Sequence, residues 1–248
     1  EIGCTGTHFS NAHGYHDDAH YSTAYDLALI TQEAMRNETF RQIVSTPTYT
    51  MAPTENRGAD NLTNTAAMVN PDSSYYYEGC IGVKTGYHSR AGQCFVGALE
   101  REGVSLISVV LGAERVTLED GVTIQTRSFS ETARMFDWGF DNFVLRDILS
   151  SSDLVQEVPV ALSSEASYVS THAAEDIACL LPDNVEPDML ERTVTLTNDT
   201  VDAPVSAGDV LGKLTLSYNG KVYAETDLLA LNDVSASWFL TAQRRVSD

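Results

Sequence analysis

The chain has 248 residues and a mass of 27.0 kDa, a length that fits one large domain or two modest ones. Apolar residues make up 43%, which excludes wholesale disorder, and no run of about 18 apolar residues is present to cross a bilayer as a helix. Against 35 Asp and Glu stand only 15 Lys and Arg, a net charge of −20 that repels phosphate backbones and argues against nucleic-acid partners.

The first eleven residues read as the end of one element followed by a turn, and no basic, then apolar, leader of the signal-peptide kind opens them. From Ser22 the pattern turns helical. Ser22 or Thr23 can cap, Thr23-x-x-Asp26 resembles a capping box, and Ala24, Leu27, Ala28, Thr31, Ala34 and Met35 share one face. A second helix is predicted over 38–45, burying Phe40, Ile43 and Val44 and stopped by Pro47. Residues 46–78 are polar and predict loop with short strands. A β meander follows, with strands at 80–87, 93–99 and 104–112. A helix over 126–138 carries Phe129, Ala133, Phe136 and Phe140 on one stripe, with Gly139 as its stop signal. Beyond a composition shift near 145–155, aromatics thin out and strands are predicted at 155–160, 193–197, 211–218 and 222–228. Asn219-Gly220 between two alternating runs is the strongest hairpin signal in the chain.

The four cysteines form no C-x-x-C pair, and the histidines cluster only as His13, His16 and His20, so structural zinc is not expected and the thiols read as free. Cys94, on a predicted strand, reads as a small buried apolar residue. Only three of the basic residues are lysines: Lys84, Lys213 and Lys221.

Lys84 lies in Gly82-Val83-Lys84-Thr85-Gly86-Tyr87 on a predicted strand. A Lys-Thr-Gly triplet suits recognition of a carboxylate. The ammonium supplies positive charge, the threonine hydroxyl a second contact, and the glycine lets a substrate backbone approach the strand. Alone, three residues recur by chance.

The surroundings add to it. Thr7-His-Phe-Ser-Asn-Ala-His-Gly14, His20-Tyr-Ser-Thr-Ala-Tyr-Asp-Leu-Ala28, the Lys-Thr-Gly strand with Ala91-Gly-Gln-Cys94, Ser105-Leu-Ile-Ser-Val-Val-Leu-Gly-Ala113 and Met135-Phe-Asp-Trp-Gly-Phe140 stand in the order and spacing of one family. Together they resemble the serine-type D-alanyl-D-alanine carboxypeptidases, the low-molecular-weight penicillin-binding proteins. Residues 157–230, with Ala203-Pro-Val-Ser-Ala-Gly-Asp-Val-Leu-Gly-Lys-Leu214, resemble that family's C-terminal β domain.

The resemblance implies an α+β fold: an incomplete penicillin-binding, β-lactamase-like transpeptidase domain with an antiparallel sheet over 1–144, then a small all-β domain over 145–248. It implies trimming of peptidoglycan stem peptides that end in D-Ala-D-Ala through an acyl-enzyme, β-lactam binding in the complete protein, an extracytoplasmic place in the cell envelope, and no cofactor or metal. Lys84 would hold the cleft's charge, Thr85 would bind the terminal carboxylate beside Gly86, and the Tyr87 N–H would form half of an oxyanion hole. Arg127 and His13 are further candidates for substrate contact, each with an ordinary alternative: a surface ion pair for Arg127 and loop hydrogen bonding for His13. Asp26 reads as a first-turn helix residue rather than an acid.

One departure is large. The residues three before the lysines are Ile81, Val210 and Tyr218, so the chain contains no S-x-x-K. Its sole S-x-N, Ser217-Tyr218-Asn219, falls in the Asn-Gly hairpin and reads as turn chemistry. The nucleophile and its lysine are therefore expected upstream of Glu1, in an N-terminal portion whose absence would leave apolar surface uncovered. A second reading is a non-catalytic binding or scaffold fragment of such a protein. A third, a lipoyl- or biotinyl-carrier module, is disfavoured because Asn-Gly fills the hairpin tip and Lys221 opens the next strand.

Overall fold

The computed structural model describes residues 2–118 and 124–247, and divides into two compact units, residues 1–141 and 142–248. The first unit opens with helix α1 (Ala24–Ala34). Thr23 caps it, its hydroxyl accepting the Asp26 N–H as the Thr-x-x-Asp spacing predicts. Asn37 caps α2 (Glu38–Ser45) in the same way through the Phe40 N–H. Strands β1 (Thr48–Met51) and β2 (Asp60–Thr63) form an antiparallel pair, and a 3₁₀ turn at Ala67–Val69 drops Met68 into the core.

The central element is an antiparallel sheet of three strands in the order β3 (Cys80–His88), β4 (Gly92–Arg101), β5 (Val104–Ala113). A short pair, β6 (Arg115–Thr117) and β7 (Ile124–Thr126), leads into helix α3 (Arg127–Asn142). Alternation along β4 sorts its side chains by face. Phe95 and Leu99 point at α3 and join Phe129, Phe136 and Met68 in the unit's core. Gly97 lies between them. A Cβ there would stand 2.9 Å from the Thr132 methyl and 3.2 Å from the Phe136 ring, so the missing side chain sets how close α3 comes. The Ser108 hydroxyl donates to Thr132 Oγ1 (3.2 Å) across the same contact. On the sheet's flanks α1 packs against β5 and β4, and α2 against β3. Arg41 of α2 grips Glu100 of β4 with two charge-assisted bonds of 2.6 Å.

Three local expectations need correction. Ile43 is not buried but 67% exposed, while Phe40 and Val44 are half-buried. Helix α2 meets β3 through Val44, which rests on Gly82, and this turns Ile43 outward. There it lines a groove of about 630 Å³ with Tyr49 and Leu62, whose side chains are also exposed. Gly139 does not stop α3, which runs on to Asn142. It is a contact glycine, its Cα facing Leu106 of β5. Cys94 is half-buried rather than buried.

The second unit begins with β8 (Phe143–Leu149), which pairs with β11 (Ile177–Pro182). Its main sheet has six strands in the order β12-β14-β15-β10-β9-β13, with β9 at Leu154–Ala161, β10 at Tyr168–Ala173, β12 at Glu191–Leu196, β13 at Val201–Asp202, β14 at Val210–Tyr218 and β15 at Lys221–Ala230. Only β13 runs parallel to its neighbour, β9. Asn219 and Gly220 have φ of 50° and 76°, the two left-handed residues of a type I′ hairpin turn. Leu181, Leu214, Leu216 and Leu228 centre one apolar cluster, and Val158, Val169 and Val205 another. Helix α4 (Trp238–Ser247) follows. Among the described residues no helix is long and apolar enough to cross a membrane.

Candidate active site

Among the described residues β3 is an edge strand, so half of its backbone N–H and C=O groups face away from β4 without a strand partner there. Lys84, Thr85, Gly86 and Tyr87 stand opposite Val96, Phe95, Cys94 and Gln93. Lys84 and Gly86 are exposed, and a Cβ built on Gly86 would meet only the Cys94 Cβ, at 3.8 Å. The Lys84 ammonium donates to the Thr85 carbonyl (2.8 Å), and the Thr85 hydroxyl donates to Thr65 Oγ1 (2.7 Å). A cation, a hydroxyl and an open backbone edge thus occur within three residues. That combination can take a carboxylate together with an extended peptide backbone.

Tyr87 is 65% exposed between two recesses. One, of about 550 Å³, is lined by Tyr15, His16, His20 and His88. The other, of about 450 Å³, is lined by Arg90, Gly92, Gly112, Glu114 and Arg115. Arg115 was not singled out in the sequence, because no local pattern marks it. The β5–β6 connection carries it to the same recess as Tyr87.

The remaining candidates lie elsewhere. Arg127 opens α3 and pairs at 3.9 Å with Glu114, a loose, exposed contact of the surface type that reaches the second recess only through that glutamate. The His13 ring accepts the Tyr15 N–H (3.0 Å) and packs edge-on against the Tyr15 ring. Among the described residues neither Arg127 nor His13 bonds to β3.

The contacts of Asp26 have no local sequence signal beyond the capping spacing Thr23-x-x-Asp26. Asp26 is 2% exposed, and its carboxylate accepts the Gly6 N–H (2.7 Å), the Thr7 hydroxyl (2.6 Å) and the Thr5 N–H (3.4 Å). The Thr7 hydrogen bond, foremost, holds its carboxyl below the usual carboxylate range against the cost of burial. With the His8–Tyr21 bridge, this anchors both ends of the loop that presents His13, His16 and His20. On the other side of the unit Tyr77 donates to Asp137 (2.6 Å), and burial foremost pushes its phenol up to about 12.

Comparison with known proteins accounts for both units. Residues 1–115 match the family model for D-alanyl-D-alanine carboxypeptidase, and residues 143–236 match that for the C-terminal domain of penicillin-binding protein 5. The D-alanyl-D-alanine carboxypeptidase DacF of Bacillus subtilis is 27% identical over 246 residues, 99% of this chain and 59% of the relative. The crystal structure of penicillin-binding protein 5 from Haemophilus influenzae is similar at a TM-score of 0.65 and 25% identity, over 94% of this chain and 62% of that one. A peptidoglycan synthesis regulatory factor (PBP3) from Streptococcus pneumoniae shares the fold at a TM-score of 0.68 and 23% identity, over 89% and 60% of the two chains. The chain therefore spans about six-tenths of the length of these relatives. With an antiparallel sheet carrying Lys84-Thr85-Gly86 in the first matched segment and an all-β unit in the second, the chain matches, unit by unit, the low-molecular-weight penicillin-binding proteins of the D-alanyl-D-alanine carboxypeptidase family.

Proposed function

We propose that the first unit provides the substrate-binding strand of a serine D-Ala-D-Ala carboxypeptidase that trims peptidoglycan stem peptides in the cell envelope. The observation that carries this is the edge strand β3, with Lys84 and Gly86 exposed beside an open backbone edge. In this role the stem peptide lies along the edge of β3. Lys84 supplies positive charge, Thr85 turns its hydroxyl from Thr65 to the terminal carboxylate, Gly86 admits the peptide backbone, and the Tyr87 N–H donates to the developing oxyanion. Arg127 and His13 take peripheral parts, Arg127 by way of Glu114. The acylated serine and its lysine belong to a segment outside these 248 residues, since no S-x-x-K occurs within them. That N-terminal portion is the partner the chain requires, and β-lactams are ligands of the combined site. No cofactor is called for.

Titration of the chain with a peptide ending in D-Ala-D-Ala, followed by two-dimensional NMR, tests the assignment. The amides of 84–87 are expected to shift, and Lys84→Ala to weaken the effect by about tenfold or more, the worth of one charge-assisted contact. Shifts confined to other parts of the chain, or unchanged by Lys84→Ala, refute it. The alternative of a purely non-catalytic fragment predicts the same binding but no acylation when the N-terminal portion is supplied.

A further inference from the structure

The loop carrying His16 and the turn that ends β3 meet over a set of charges that one protonation state cannot satisfy. His16 Nε2 lies 3.0 Å from Asp18 Oδ1 and 3.1 Å from the Arg90 guanidinium, and Arg90 itself bonds Asp18 at 2.6 Å. Guanidinium only donates and carboxylate only accepts. A bare Nε2 can accept from Arg90 but offers nothing to Asp18. A neutral Nε2–H can donate to Asp18 but then faces Arg90 donor to donor, and the doubly protonated ring adds cation facing cation. The His88 ring stacks on His16 with centroids 4.6 Å apart and planes 15° from parallel. If both rings are charged, two imidazolium groups and one guanidinium share the single carboxylate of Asp18.

The neighbouring groups do not relieve this. Asp17 is occupied within its own loop, accepting the Ala19 N–H (2.8 Å) and the Ser10 hydroxyl (3.2 Å). His20 accepts the Ser10 N–H and lies against Phe9. Glu114 and Arg115, on the far side of the turn, contribute one charge of each sign to the recess beside Arg90. The loop is otherwise braced internally, by Asn11 bonding the Gly14 N–H and the Tyr15 carbonyl.

We infer that His16, His88, Arg90 and Asp18 form a pH-sensitive clasp that ties the 13–18 loop to the 88–91 turn at neutral pH and releases it as the imidazoles protonate. The turn follows Lys84-Thr85-Gly86-Tyr87 directly, so release frees the far end of the proposed substrate strand. The clasp itself does not depend on the D-Ala-D-Ala assignment, and its test reads ring contact rather than substrate.

NMR of the 248-residue chain from about pH 8 to about pH 5.5, above the pI near 4.4, decides it. At the upper end, ring-to-ring NOEs between His16 and His88 are expected. As pH falls they are lost, and the amides of 15–18 and 87–91 move along one common sigmoid toward the spectrum of Arg90→Ala, which lacks the clasp at every pH. His16→Phe keeps a stacking ring and the Arg90–Asp18 pair without a titrating group at 16, so its ring contact persists to about pH 5.5. Amides of the Asn219–Gly220 hairpin report that the chain stays folded. NOEs that survive acid in the unsubstituted chain, or that vanish equally in His16→Phe, overturn the proposal.

Discussion

Asp26 shows how one buried carboxylate can organise a functional loop. Its three acceptor contacts, to Thr5, Gly6 and Thr7, pin the incoming segment to the first turn of α1, where the helix dipole also favours a negative charge. Its folded-state pKa is lowered, so the linkage has a definite sign. The stabilisation is fully present above the unfolded carboxylate value of about 3.9 and is lost as pH falls through the lower folded value. Asp26→Asn is therefore expected to lower the denaturation midpoint by a constant amount from neutral pH down to about pH 5, and by a shrinking amount below about pH 4. Denaturant titrations at a series of pH values check this. A difference that grows on acidification contradicts the assigned hydrogen bonds. The sequence offered only Thr23-x-x-Asp26, a capping signal. The contacts to Thr5–Thr7, some twenty residues away, carry no local signature.

At the level of elements, the sheet–α3 contact holds β3 in place from one face. Phe136 is 1% exposed against Phe95 and Tyr77, and Gly97 admits Thr132 beside it. Phe136→Ala is expected to cost about 3–5 kcal/mol through lost burial and a cavity, and Gly97→Ala about 1–3 kcal/mol through overpacking. Hydrogen exchange of the β4 and β5 amides reads both. The Arg41–Glu100 fork adds a smaller tie from α2, and Arg41, foremost, keeps the Glu100 carboxyl below its usual range. Both partners are about a third exposed, so a double-mutant cycle is expected to return about 0.5–1 kcal/mol. The meander was legible because its strands alternate and its connections are short, as at Glu102-Gly103. The exposure of Ile43 was not, because helical periodicity defines an apolar face without saying what covers it.

For the whole chain, the absence of S-x-x-K has a direct chemical consequence. The serines present lack the lysine that would take up a proton in acylation, so incubation with a labelled β-lactam is expected to leave the mass of this chain unchanged. A stoichiometric adduct on a serine would mean that a nucleophile of another kind operates here. The net charge of −20 acts in the same experiments, opposing self-association through the apolar groove of Ile43, Tyr49 and Leu62 at low salt and doing so less as salt rises.

Local chemistry was enough to determine a helix start at Ser22 or Thr23, the left-handed Asn219-Gly220 turn, the β3–β5 strands, and the motifs that carry the family resemblance. Each of these rests on interactions within a few residues or on the period of a single element. Tertiary structure alone decided that β3 is an edge strand, that Gly139 is a packing glycine inside α3 rather than its end, that Arg115 shares a recess with Tyr87, and that His16 meets His88 and Arg90 from more than seventy residues away. Such contacts are fixed by which surfaces the folded core leaves adjacent, and the side chains that meet there carry no mark of one another along the chain.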